Sequence, residues 1–89
     1  MNVRNMESNR SGRGVANQFI ITDDEGNETF QSYRTIIATN KCGNITLDVN
    51  SWDYSKTTGK YRNIFLGENK AETERKIKSG EYKLEDLNK

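Results

Sequence analysis

"NQFIITDDEGNETFQSYRTIIATNKCGNITLDV", residues 17–49, decides the fold. Its runs "NQFIIT" and "ETFQSYRTIIA" are rich in β-branched and aromatic residues and flank "DDEGN", in which Gly26 marks a loop. Two β-prone runs around such a loop read as a hairpin. In the second run Phe30, Ser32, Arg34, Ile36 and Ala38 fall on one strand face, and Gln31, Tyr33, Thr35 and Ile37 on the other. Both faces are partly apolar near its end, so this strand is expected at the centre of its sheet. "TNKCGN" supplies the next turn around Gly43. "ITLDV" then returns with Ile45, Leu47 and Val49 on one face and Thr46 and Asp48 on the other.

Beyond the third strand the periodicity changes. From Thr57 onward Tyr61, Ile64 and Phe65 recur at helical spacing, and Gly67 stands where a left-handed C-terminal cap belongs. Thr57 or Thr58 is the expected N-cap. A second short helix opens at Asn69, runs through "KAETERKIKS" and stops at Gly80, with Ala71, Ile77 and the stem of Arg75 toward the core. The end, "EYKLEDLNK", offers Tyr82, Leu84 and Leu87 for docking and is left without an assigned state. At the other terminus "MNVRNMESNRSGRG", residues 1–14, carries Arg4, Arg10 and Arg13 against Glu7 and shows no periodicity, which reads as a flexible, mildly basic arm. The expected fold is α+β: a three-stranded antiparallel sheet followed by two short helices, in one small domain over residues 15–89.

Composition bounds the chemistry. The 89 residues have room for one domain, and with 31% hydrophobic residues its core must be small. Lysine and arginine number 14 against 13 acidic residues, a net charge of +1, so attraction to nucleic acid or membrane has to be local. The chain has no histidine and one cysteine, Cys42, which excludes a Ser-His-Asp triad, a Cys-His pair, a zinc site of Cys and His ligands and a disulfide within the chain. No apolar run approaches the ~18–20 residues of a membrane span, and an intracellular protein is expected. The N-x-T matches at Asn27 and Asn44 then read as turn residues. "DDE" at 23–25 is explained by turn chemistry, and Cys42 has no base partner. No catalytic residue, metal ligand or cofactor is expected, and the chain is read as non-enzymatic.

The remaining signals are concentrated in "SWDYSKTTGKYRNIFLGE", residues 51–68. A helix start exposes unpaired N–H groups and a partial positive charge, so Ser55, Lys56, Thr57, Thr58 and Lys60 form a candidate anion pocket there. Gly59 allows close backbone approach, and Trp52, Tyr54 and Tyr61 offer ring faces. "KTTGK" lacks the first glycine of a phosphate loop and has no Ser or Thr after Lys60, which argues against a nucleotide hydrolase. The same residues also have a structural reading. Thr57 or Thr58 caps the helix, Ser55 closes the preceding turn, and Trp52, Tyr54, Tyr61 and Phe65 build the core. The two readings coexist if Lys56, Lys60 and Arg62 lie on the exposed side.

"FQSYRTIIA" and "YSKTTGKYRNIFL" together resemble a family of small uncharacterised bacteriophage and mobile-element proteins with the patterns F-x-S-Y-x-x-x-I-A and Y-S-x-T-T-x-K-Y-x-x-x-F-L. Phe30, Ser32, Tyr33, Ile37 and Ala38 fill the first pattern. Tyr54, Ser55, Thr57, Thr58, Lys60, Tyr61, Phe65 and Leu66 fill the second. The likeness covers roughly residues 17–80 and implies a phage origin without a mechanism. The resulting expectation is a phage accessory protein that binds and modulates a host protein in the bacterial cytoplasm, through Trp52, Tyr54, Ser55, Lys56, Thr57, Thr58, Lys60 and Arg62. Two alternatives stay open: a nucleic-acid-binding module using stretch 52–62 with Arg4, Arg10 and Arg13, and capture of a small nucleotide at the Thr57/Thr58 helix start. A three-stranded sheet leaves both edges available, so a homodimer is compatible with each.

Overall fold

A computed structural model describes residues 2–7 and 14–88. The chain forms β1 (Asn2–Glu7), β2 (Gly14–Thr22), β3 (Glu28–Ser32), β4 (Thr35–Lys41), β5 (Asn44–Asp48), α1 (Lys56–Leu66), α2 (Lys70–Ser79) and β6 (Lys83–Glu85). The α+β class is as expected, but the sheet has six strands in the order β1-β2-β3-β4-β5-β6. The first five form an antiparallel meander, and β6 joins β5 in parallel after the two helices.

Three differences account for the extra strands. Asn2–Glu7, expected in a flexible arm, is the edge strand β1, with Val3 opposite Ile21 and Asn5 opposite Phe19. Arg4 lies in that strand, 3.5 Å from the Glu28 carboxylate, whereas Arg10 and Arg13 lie outside the described residues. The run "ETFQSYRTIIA" is two strands, because the chain reverses at Tyr33 and Arg34 between the paired residues Ser32 and Thr35. Tyr33 takes φ 57°, uncommon for a bulky residue. Its N–H donates to Asn17 O at 2.6 Å and its carbonyl accepts from Gln31 Nε2 at 2.7 Å. Finally, Tyr82 is buried at the head of β6, a strand within the stretch left unassigned from sequence.

The loops read as turns do behave as turns. Asp23 Oδ1 accepts from the N–H groups of Glu25 and Asn27 at 2.8 and 3.0 Å, and Oδ2 accepts from Asn27 Nδ2 at 3.0 Å. The acidic tip therefore organises its own loop. The β4–β5 turn places Cys42 and Gly43 both at positive φ, the backbone that a two-residue hairpin loop requires.

Ile20, Phe30, Ala38, Leu47 and Leu84 occupy one cross-strand row. All but Leu84 are buried beneath the helices. A register shift after Phe30 sets Phe30 opposite Ala38 and Gln31 opposite Ile36, leaving Ile37 as the extra residue of a bulge. Adjacent Ile37 and Ala38 are consequently both buried, which strict alternation forbids. Phe65 of α1 stacks on Phe30 with centroids 5.8 Å apart and joins the two halves of the core. Complete burial of a phenylalanine contributes roughly 1.5–3 kcal/mol, so Phe30 is a principal anchor.

Both helices begin and end on local chemistry. Ser55, and not Thr57 or Thr58, caps α1, its hydroxyl accepting from Thr58 N–H at 3.1 Å. Gly67 closes α1 at φ 70°, and its N–H donates to Asn63 O. Asn69 and Gly80 flank α2 as expected. The inward residues of α2 are Thr73, Lys76 and Ile77, while Ala71 and Arg75 are exposed.

The C-terminal segment is tied back to the sheet. Asp48 is buried and accepts from the Ser51 hydroxyl and, at 2.9 Å, from Leu87 N–H. These hydrogen bonds outweigh the effect of burial and hold its carboxyl below the usual range. The Asn88 side chain reaches β4, accepting from Ile36 N–H at 2.7 Å and donating to Ile36 O at 2.9 Å.

Candidate functional site

Residues 51–68 divide into a buried half and an exposed half. Thr58 lies under α1, with its hydroxyl 3.2 Å from that of Ser32 in β3. Trp52 is half-buried against Leu47, Tyr82 and their neighbours. Arg62 is 1% exposed and belongs to the interior, where the sequence placed it on the open side of the helix.

The surroundings of Arg62 explain how a charge is held there. Its Nη1 donates to Trp52 O at 2.7 Å and lies 3.4 Å from Asp53 Oδ1, and Nη2 donates to Asn63 Oδ1 at 2.9 Å. Of the guanidinium nitrogens, Nε lacks a partner among the described residues. The guanidinium also lies over the Trp52 ring at 5.3 Å, a favourable cation–π position. The side chain thus fastens the loop after β5 to α1. Asp53 extends the fastening to α2 through Lys70 Nζ at 2.8 Å. The hydrogen bond from Lys70 holds the Asp53 carboxyl below its usual range, and the same bond raises Lys70.

Above this floor is an open groove of about 730 Å³ along α1. Tyr54, 55% exposed, stands beside it, and Ser55, Lys56, Lys60 and Ile64 line it from the helix. Lys56, Lys60 and Ile64 follow one another at four-residue intervals and so share a helix face. No described carboxylate lies within ion-pair distance of either lysine. Lys60 Nζ sits 5.5 Å from the centroid of the Tyr61 ring. Of the residues singled out from sequence, Tyr54, Ser55, Lys56, Lys60 and Arg62 meet at the groove; Trp52, Thr57 and Thr58 are not among its lining.

Sequence reasoning did not find Asp53, Asn63, Ile64 or Lys70 as groove residues. For Ile64 the signal was present, since it continues the Lys56–Lys60 spacing. Lys70 is brought in by the turn at Gly67, which no spacing within α1 reveals. Gly59 also lines the groove, and a Cβ placed there meets the Arg62 guanidinium at 3.7–3.9 Å, an ordinary contact. Its role is not to relieve a clash.

A second polar cluster joins the turn after α1, helix α2 and the residue that leads into β6. Glu68 Oε1 accepts from Tyr82 Oη at 2.5 Å and from Lys76 Nζ at 2.9 Å, and Oε2 accepts from Thr73 Oγ1 at 2.7 Å. Burial raises the Glu68 carboxyl, but the three donors outweigh it and the net position is below the usual range. Tyr82 is raised, chiefly by burial and then by Glu68. Every oxygen of Glu68 is engaged internally, so this cluster is a fastening of the fold.

A family profile described as a family of unknown function (DUF8033) matches residues 1–81, and the chain belongs to that family. No curated protein and no solved structure matches it.

Proposed function

We propose that this member of the family is a small, non-enzymatic bacteriophage accessory protein that binds and modulates a host protein in the bacterial cytoplasm. The observation that carries the binding reading is the groove along α1, where two lysines without a carboxylate partner among the described residues stand between the exposed ring of Tyr54 and the exposed Ile64. An exposed tyrosine ring is a common interface anchor, and cations beside it favour a partner of complementary charge. The resemblance of residues 30–38 and 54–66 to phage proteins supports the setting.

Arg62 contributes to this surface by holding its floor, so the contact residues narrow to Tyr54, Ser55, Lys56, Lys60 and Ile64. The nucleic-acid alternative loses part of its basic arm to β1, where Arg4 faces Glu28. The nucleotide alternative loses the Thr58 hydroxyl to Ser32.

The test is capture from bacterial lysate by tagged protein, with and without nuclease, comparing the native chain with a Lys56→Glu/Lys60→Glu variant. A host protein that survives nuclease and is lost with the variant is the expected result. Recovery that collapses on nuclease treatment transfers the groove to nucleic acid.

A further inference from the structure

We propose that the groove along α1 takes a short extended peptide carrying acidic residues at alternate positions followed by an apolar one, in the order acidic-x-acidic-x-apolar. This deepens the binding reading above and rests on it.

The geometry of α1 sets the pattern. Lys56, Lys60 and Ile64 all line the groove, and successive members are separated by about 6 Å of helix rise at ~1.5 Å per residue. An extended chain repeats its same-side side chains at about 6.6 Å, two residues of ~3.3 Å each. Two carboxylates at alternate positions therefore meet Lys56 and Lys60 together, and the next same-side residue arrives at Ile64. Because α1 is 11 residues long, about 16 Å at that rise, it accommodates roughly five extended residues.

Charge selects the occupant. Lys70 and Arg62 both have Asp53 as a counter-charge, whereas Lys56 and Lys60 have none among the described residues. The first turn of α1 contains no acidic residue to offset them. Two cations with no counter-charge among the described residues, followed by an apolar third position, suit a peptide that alternates in the same way. A nucleic-acid strand instead presents a charge at every step, so a phosphate would fall opposite the apolar Ile64. Neutralising two phosphates also gives only a shallow salt dependence, with a slope of about −1.4 for a single strand. Tyr54 adds a ring face at the lysine end of the groove.

Fluorescence anisotropy with labelled synthetic peptides tests the assignment on the full chain. The probe peptide is Glu-Ser-Glu-Ser-Leu with short Gly-Ser flanks, compared with Gln-Ser-Gln-Ser-Leu, Glu-Ser-Glu-Ser-Ser and an oligothymidylate of similar reach. The expected result is that the first peptide binds most tightly and that replacing its glutamates by glutamine weakens binding about tenfold or more. Lys60→Glu weakens the acidic peptide to a similar extent. Ile64→Ala weakens the leucine peptide several-fold while leaving the serine peptide unchanged. Equal binding of the Glu and Gln peptides overturns the proposal, as does tighter binding of oligothymidylate that Lys60→Glu abolishes. If host-protein capture depends on Lys56 and Lys60 while the acidic peptide does not bind, the groove stands and its assigned occupant is wrong. Failure of both removes the groove reading itself.

Discussion

Glu68 and Lys60 lie eight positions apart and belong to two charged clusters built on opposite principles. At Glu68 every carboxylate oxygen has an internal donor, and the side chain is 3% exposed. At Lys60 and Lys56 the charge is exposed and no described carboxylate answers it. Arg62 sharpens the contrast, because it lies two residues from Lys60 in the same helix and is interior. A closed cluster holds its elements together and has nothing left to offer a partner; an open one adds little to folding and retains its full capacity to bind. Function in a small domain with few apolar residues is therefore sought where charge is left unanswered.

Substitution at Arg62 has one of the largest expected effects. Arg62→Ala removes the link between Trp52 O, Asp53 and Asn63 and leaves those acceptors facing a cavity, so a loss of about 3 kcal/mol or more is expected. Urea denaturation followed by circular dichroism reads it, and a midpoint equal to that of the native chain would return Arg62 to the surface. Phe30→Ala belongs to the same range, roughly 3–5 kcal/mol, and provides a core reference on the same instrument.

Glu68→Gln comes next, with an expected loss of about 1–3 kcal/mol as the Lys76 ammonium loses its carboxylate and the Tyr82 hydroxyl a charged acceptor. It also changes the pH profile. The folded Glu68 and Asp48 carboxyls lie below their ordinary values of 4.5 and 3.8. Their stabilisation is therefore fully present above those values and is lost as pH falls through the lower, folded ones. Thermal melts from neutral to acidic pH should show stability decreasing on acidification, with a shallower decrease in Glu68→Gln. An unchanged slope would mean that Glu68 does not carry the acid sensitivity assigned to it.

Gly59→Ala has a smaller effect of opposite sign. The backbone at this position is helical and the added methyl meets Arg62 at ordinary contact distance. A gain of about 0.5–1 kcal/mol is expected, measured as a raised urea midpoint. A lowered midpoint would show that the space beside Arg62 is needed. Smallest of all is Lys56→Glu/Lys60→Glu, whose urea midpoint should match the native chain, since neither lysine has an ion-pair partner to lose among the described residues.

The parts of the fold that were legible in the sequence are those decided by local chemistry. Asn69, Gly67 and Gly80 mark helix ends because an amide oxygen or a left-handed backbone is needed at those positions whatever surrounds them. Gly26 and Gly43 mark loops for the same reason. The reversal at Tyr33 has no such marker: "SYRT" reads as strand, and the turn is imposed by Asn17 O, the Gln31 side chain and the Ser32–Thr58 contact beneath α1. Strand β1 is equally silent, because Asn2–Glu7 gains its conformation from pairing with β2. At the site, Lys56 and Lys60 were legible as exposed, whereas Tyr54, which one reading of the sequence put in the core, is 55% exposed. The burial of Arg62 was not legible, since two of its partners, Trp52 O and Asp53, come from a loop nine and ten residues earlier, brought alongside only when α1 packs on the sheet.

Whether the exposed lysines of α1 bind a partner is decided by comparing the native chain with Lys56→Glu/Lys60→Glu in capture from nuclease-treated bacterial lysate, quantified by mass spectrometry, with both proteins first shown to share one urea midpoint. A nuclease-resistant host protein that the native chain retains and the variant loses is expected. Equal retention by two equally folded proteins would contradict that expectation, because the unanswered charges would then be idle.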